Sequence, residues 1–385
     1  MLQRAFGPED GPVPEAIDGN AAAALARRLD LAPRLRARAG ASRLRRELGD
    51  AAASHLVAAH GVAALSAERL LAAARSIAEA AAAARLPITF LKGVALHVSG
   101  RVAAGARFFS DVDVLAPAGR AEALQSCLQG AGFRSAGSPA GGDHELPKLV
   151  SAAGDVVEVH HYVPGLRAGG EHGYATLDAL AAEGQLVPFP GWPGEVFTPS
   201  TTVLVAHALV HGIAQSGFSP QAYPMTRMLA DLVDLGLGKD DGARLLDPAY
   251  VAVARELSRE EVEAARHLCA LLVAGQEPLT GRPETPESRL LAHALAGPLE
   301  ARYQSWMKIR ALAAGPSLLP RPLAWARAVG RAVVIGDNQA QAIYGRPRRK
   351  GSAKARRLAR PFDLAWRLVR ALGAGASLRR GPVRA

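Results

Sequence analysis

Aromatic side chains are scarce in this chain, 5% of 385 residues. Alanine is abundant instead, so the core must come from closely packed helices rather than large rings. Cysteine occurs only twice, at Cys127 and Cys269, far apart and without neighbouring metal ligands. That excludes a disulfide framework and a cysteine-based zinc site, and the thiols are expected to be reduced in a cytoplasmic protein. No charge-free apolar run reaches the roughly 18 residues of a membrane helix. The opening MLQRAFGPEDGPVPEA lacks the basic-then-apolar order of a signal peptide. A P-loop, a dinucleotide glycine fingerprint and a G-x-S-x-G elbow are all missing, which removes three large enzyme classes. Acidic residues are outnumbered, giving a net charge of +11, but unevenly. Residues 346–385 hold thirteen Lys/Arg against Asp363, a net +12, and the rest of the chain is −1. The basicity therefore belongs to the tail and says nothing about the body.

What is present is concentrated between Pro87 and Leu115, with a short echo at Val156–His161. Pro87–Leu91 is apolar and β-favouring and stops at Lys92-Gly93, after which Val94–Val98 reads as the start of a helix. Asp111 and Asp113 alternate with Val112 and Val114, which is strand periodicity, so the two carboxylates share one face. Glu158 lies in a second strand, with Val157 and Val159 facing the other way and His160 on its own side. Two strands can thus gather three carboxylates. Hard cations take oxygen ligands, and two Mg²⁺ ions about 3.5–4 Å apart can clamp a phosphoryl displacement. Gly93, between strand and helix, lets backbone approach a phosphate, and Lys92 adds a mobile positive charge there.

The run LKG…R…SDVDVL…VEVH resembles the polymerase-β-like nucleotidyltransferase superfamily. It is most similar to a bacterial nucleotidyltransferase family with LKG, R-x-x-(S/G)-D-(I/V)-D-L and (I/V)-E-(I/V)-H stretches. Much of the superfamily has Gly-Ser where this chain has Lys92-Gly93. The resemblance spans roughly residues 55–235. It implies an α+β fold, a small mixed-sheet core flanked by N- and C-terminal helical segments. It divides the chain into an N-terminal helical segment (1–84), a catalytic core (85–195), a C-terminal helical domain (196–345) and the basic tail (346–385). It implies transfer of a nucleoside monophosphate from an NTP to an acceptor hydroxyl, with Mg²⁺, two ions, on Asp111, Asp113 and Glu158. Lys92, Gly93, Arg107 and Ser110 would meet the nucleotide. His207-x-x-x-His211 followed by Arg227-x-x-x-Asp231 resembles the helical segment after the core, which implies nucleotide or acceptor contacts at His211, Arg227 and Asp231. The competing reading is a catalytically inactive scaffold that binds nucleic acid or a partner.

Other readings rest on the residues alone. Ala21–Ala83 and Pro117–Gly130 have helical patterns. Residues 163–195 read as a Gly/Pro-rich loop with a short helix near Thr176–Glu183, and a helix begins with Thr198 or Ser200 as its cap. His144 is a substrate contact or a structural histidine. Arg227 and Asp231, four apart, could simply pair with each other. Residues 240–335 read as further amphipathic helices. In the tail, Arg346–Arg360 is a charge run and Pro361–Leu372 a basic amphipathic helix. That helix either packs back on the body or contacts an anionic surface or RNA.

Overall fold

The computed structural model describes residues 18–137, 144–169, 173–215, 225–238 and 242–273, apart from Arg255 and Ser258, with scattered positions between 362 and 376. Four helices come first: α1 (Gly19–Arg28), α2 (Ala32–Ala39), α3 (Ala41–Leu48) and the 34-residue α4 (Asp50–Ala83). α2 and α3 stop at Gly40 and Gly49, both at positive φ, where a residue without Cβ is least strained. In α4, Leu56, Ala63, Leu70, Ala74, Ile77 and Ala81 recur at helical spacing and are buried. This helix is long and apolar enough to cross a membrane by length and composition only. Its buried stripe packs instead on α1, α2, α3 and the sheet.

The strands are β1 (Ile88–Phe90), β2 (Asp111–Leu115), β3 (Arg134–Ser135), β4 (Leu149–Val150), β5 (Val156–His160), β6 (Leu186–Pro188) and β7 (Val196–Pro199). They form one mixed sheet in the order β3-β4-β5-β2-β1-β7-β6. The helices between them are α5 (Lys92–Val98), α6 (Ala121–Gly130) and α7 (Leu177–Ala182). The α+β expectation holds, with a mixed sheet and helical flanks.

Two strands lie where the sequence reads loop and early helix. Val196–Pro199 pairs in parallel with β1, and Leu186–Pro188 pairs with β7 as an edge. The next helix, α8 (Thr201–Leu209), therefore starts after Pro199. Its cap is Ser200, whose Oγ accepts from the Val203 amide at 3.3 Å. At Val210 the helix widens into a π-turn through Gln215. Beyond it come α9 (Met225–Asp234), α10 (Gly242–Val253) and α11 (Arg259–Val273).

The sheet divides the molecule. Val112, Val114, Val157 and Val159 face one way, into a core with Leu70 and Ile77 of α4 and Leu124 and Leu128 of α6. The opposite face carries Asp111, Asp113, Glu158 and His160. Leu115, on that same face, joins a second core made with α1–α3, α5 and α8–α11. Period-2 alternation thus puts hydrocarbon on one side and charge on the other.

Outside the described residues lie the helices expected from 274 to 335 and the charge run Arg346–Arg360. Nine positions from Phe362 to Ala376 are helical, and all are exposed except Asp363.

Candidate functional site

β2 and β5 run parallel in a register that sets Asp113 opposite Glu158, Asp111 opposite Val156 and Leu115 opposite His160. The three carboxylates therefore lie on one face. β5 sits between β4 and β2 and is not an edge, so Glu158, 5% exposed, is inside the protein. Asp113 is 1% exposed. Lys92 Nζ reaches Asp113 Oδ1 at 2.5 Å and Glu158 Oε2 at 3.8 Å. Lys148, which the sequence does not single out, pairs with Glu158 Oε1. His160 Nε2 lies 3.0 Å from Asp113 Oδ1 and 3.7 Å from Glu158.

These contacts fix the charge states. Burial would raise the Asp113 carboxyl, but the Lys92 ammonium and the His160 hydrogen bond outweigh it and hold it well below the usual value. An ionised carboxylate only accepts, so His160 donates through Nε2, and its buried Nδ1 lacks a hydrogen-bond partner. Asp111 and Glu158 go the other way: burial raises both, and the Asp113 charge raises them further. Burial would lower Lys92, but Asp113 above all raises it, so it is fully charged. Asp113 Oδ2 is buried without a hydrogen-bond partner. Ligand atoms of Asp113, Glu158 and His160 lie within 4.8 Å of one another. An orphaned carboxylate oxygen among hard oxygen donors fits a divalent cation such as Mg²⁺. Asp111 stands two residues earlier on the same strand, half-buried, with exposed Ser110 beside it.

Lys92 also faces a second space, a pocket lined by Arg107, His207, His211 and Asp231 with leucines from α5, α8 and the turn after α9. Its free volume is about 30 Å³, small beside a ligand cleft. Arg107 closes it with a bidentate pair to Asp231, at 2.8 and 3.0 Å. Burial lowers both histidines and Lys92 lowers them further, His211 to about 4 and His207 well below its ordinary value. His207 Nε2 is buried without a hydrogen-bond partner. The pocket therefore holds two neutral imidazoles beside two fixed cations.

The sequence reading brought Lys92, Gly93, Asp111, Asp113 and Glu158 together, and Arg107, His211 and Asp231 line the adjoining pocket. Arg227 is not among the residues lining that pocket, and its guanidinium pairs with Asp30, after α1. Gly93 has a reason beyond phosphate approach, since a Cβ there would meet the Phe109 ring at 2.7 Å. Lys92 has φ +45°, a left-handed conformation more natural to glycine. Lys148, immediately before β4, carries no signal in the sequence, whereas His160 shares the face of Glu158 by alternation and could be read as orienting a carboxylate or as a core histidine. His144 stacks on His160, with ring centroids 5.5 Å apart.

A strand-borne acidic cluster with basic residues around it belongs to the chemistry of phosphates and metal ions. Over residues 15–274, more than half its length, the chain matches the family described as uncharacterised nucleotidyltransferase, and it belongs to that family. No curated protein matches it. A solved structure, that of the antibiotic-resistance factor ANT(2'')-Ia, aligns at 17% identity over 50% of this chain and 86% of its own, with a TM-score of 0.30. A likeness that slight carries no argument.

Proposed function

We propose that this protein is a Mg²⁺-dependent nucleotidyltransferase that moves a nucleoside monophosphate from an NTP to an acceptor hydroxyl. The reading is carried by one observation: Asp111, Asp113 and Glu158 share a sheet face on which a buried oxygen of Asp113 has no hydrogen-bond partner. Those three carboxylates would hold Mg²⁺, which would supply positive charge to offset that of the triphosphate.

The chain's own groups supply the rest. Glu158, raised like Asp111 by burial and by Asp113, takes the proton of the acceptor hydroxyl. The acceptor oxygen attacks the α-phosphorus, the bond to the bridging oxygen breaks, and pyrophosphate leaves. Lys92 moves from Asp113 to the outer phosphates and, with Arg107, offsets the charge on the leaving group. His160 keeps Asp113 ionised and oriented. His211 and Asp231 line the nucleotide side, and Ser110 and Gly93 flank the phosphates. The resemblance to the polymerase-β-like superfamily supports this assignment of roles.

A second reading keeps the scaffold but not the reaction. Lys92 and Lys148 already neutralise Asp113 and Glu158, and a protein that binds nucleic acid or a partner could retain them for stability. One experiment separates the two: label transfer or pyrophosphate release from an α-labelled NTP, with and without Mg²⁺. Transfer that requires Mg²⁺ and is lost in Asp111→Asn and Asp113→Asn supports the enzyme. Absence of pyrophosphate release across NTPs and acceptors, including small molecules, peptides and RNA, favours the scaffold.

A further inference from the structure

The tail presents an apolar stripe that the body does not use. Phe362, Trp366, Val369 and Leu372 are helical and 78, 62, 61 and 61% exposed. At 100° per residue they fall within an arc of roughly 120°, with Ala365, Gly373 and Ala376 inside the same arc. Asp363 and Arg370 fall outside it, and so, by sequence, does Arg367. Four large apolar side chains exposed along one helical face form a contiguous patch, which a solvated surface helix does not keep.

We propose that this segment is an interfacial helix that binds the surface of an anionic lipid bilayer. Three observations select that occupant. By sequence, Arg370 and Arg367 lie on one flank of a Trp/Phe/Leu-type apolar arc, with Leu364 and Leu368 outside it, and basic residues beside such an arc suit a helix lying in a bilayer interface. The surrounding forty residues carry a net +12, and anionic lipid attracts such charge at about 1 kcal/mol per Lys or Arg near the surface. The same charge works against a second copy of the chain, because pairing two such stripes would bring two +12 segments together. RNA would satisfy the arginines, but a phosphate backbone gains nothing from Val369 and Leu372. The proposal is independent of the transfer reaction.

The test is flotation of the full chain with vesicles of phosphatidylcholine alone and of phosphatidylcholine mixed with phosphatidylglycerol. The parent is expected to float only with the anionic vesicles, less so as salt rises from about 0.1 to 0.5 M, where screening shortens from ~10 Å. Phe362→Glu with Trp366→Glu is expected to weaken partitioning at least about tenfold while thermal unfolding stays as in the parent. Three results overturn the proposal. One is no flotation with either vesicle. Another is flotation indifferent to the double substitution, which would mean charge alone. The third is a parent that binds RNA, or itself, through these side chains and leaves vesicles untouched.

Discussion

Replacing Glu158 by glutamine removes one charge from a cluster whose attractions and repulsions nearly cancel. Lys92 Nζ is 3.8 Å from Glu158, a gross attraction of about 4 kcal/mol at an effective dielectric constant of 20. The Asp113 carboxylate lies within 4.8 Å of Glu158, a repulsion of about 3.5 kcal/mol or more on the same scale. Lys148 is one-third exposed, so its pair adds about 1 kcal/mol at most. The variant should therefore fold, with stability in EDTA within about 2 kcal/mol of the parent, or about 4–8 °C in Tm for a domain of this size. The pH dependence has a definite sign. The Glu158 carboxyl is raised from its ordinary 4.5 in the folded state. As pH climbs above 4.5 the unfolded chain releases that proton first, so the parent loses stability over this window and Glu158→Gln does not. Asp113, held low, contributes oppositely: its stabilisation is present above 3.8 and is lost as pH falls through its folded value. Transfer from α-labelled NTP should fall at least about a hundredfold, roughly 3 kcal/mol of barrier, because a base and a metal ligand go together. Mg²⁺ should raise the parent's Tm and not the variant's. A variant that turns over NTP within a few-fold of the parent refutes the role assigned to Glu158.

Three further outcomes follow from the same geometry. Arg107→Met takes the bidentate partner from Asp231, which is 3% exposed, and should cost about 3 kcal/mol in urea unfolding, much of it recovered by adding Asp231→Leu. Gly93→Ala drives a methyl to 2.7 Å from the Phe109 ring and should cost about 1–3 kcal/mol, relieved by Phe109→Leu; unchanged stability would leave phosphate approach as the only reason for the glycine. Lys92→Met removes the cation that, after burial, does most to depress His211. The His211 midpoint, followed by NMR, should rise from about 4 toward 6.5, and a fixed midpoint would refute the shared pocket.

Alternation made the carboxylate face legible. In Asp111-Val-Asp113 and Val157-Glu158-Val159 the period of two sorts charge from hydrocarbon before any partner strand is known, and a parallel register then places Asp113 beside Glu158. The outer strands were not legible. Leu186–Pro188 and Val196–Pro199 each end in proline within a Gly/Pro-rich stretch, and only pairing, of β7 with β1 and of β6 with β7, makes strands of them. Spacing left partners open at Arg227 and Asp231: four residues apart on a helix they can meet, yet each has a partner more than a hundred positions away. Local pattern fixes which face a side chain occupies, whereas its partner depends on which segments tertiary packing brings alongside. The tail helix was legible as amphipathic, but the exposure of its apolar side could come only from the structure.

Helix α9 has a bearing on the order in which the protein can be made. It is fastened by Arg227 to Asp30, by Asp231 to Arg107, by Asp234 to Arg34 and by the Thr226 hydroxyl, which donates to the Leu29 carbonyl. Three of these links span 197 to 200 residues and the fourth spans 124. On a ribosome adding about 5–20 residues per second, Arg34 waits roughly 10–40 s for Asp234 to be synthesised. Burying Arg34 sooner would cost about 3–5 kcal/mol for an uncompensated charge. The buried charge of Arg34 thus disfavours closing the first helices before Asp234 has been made.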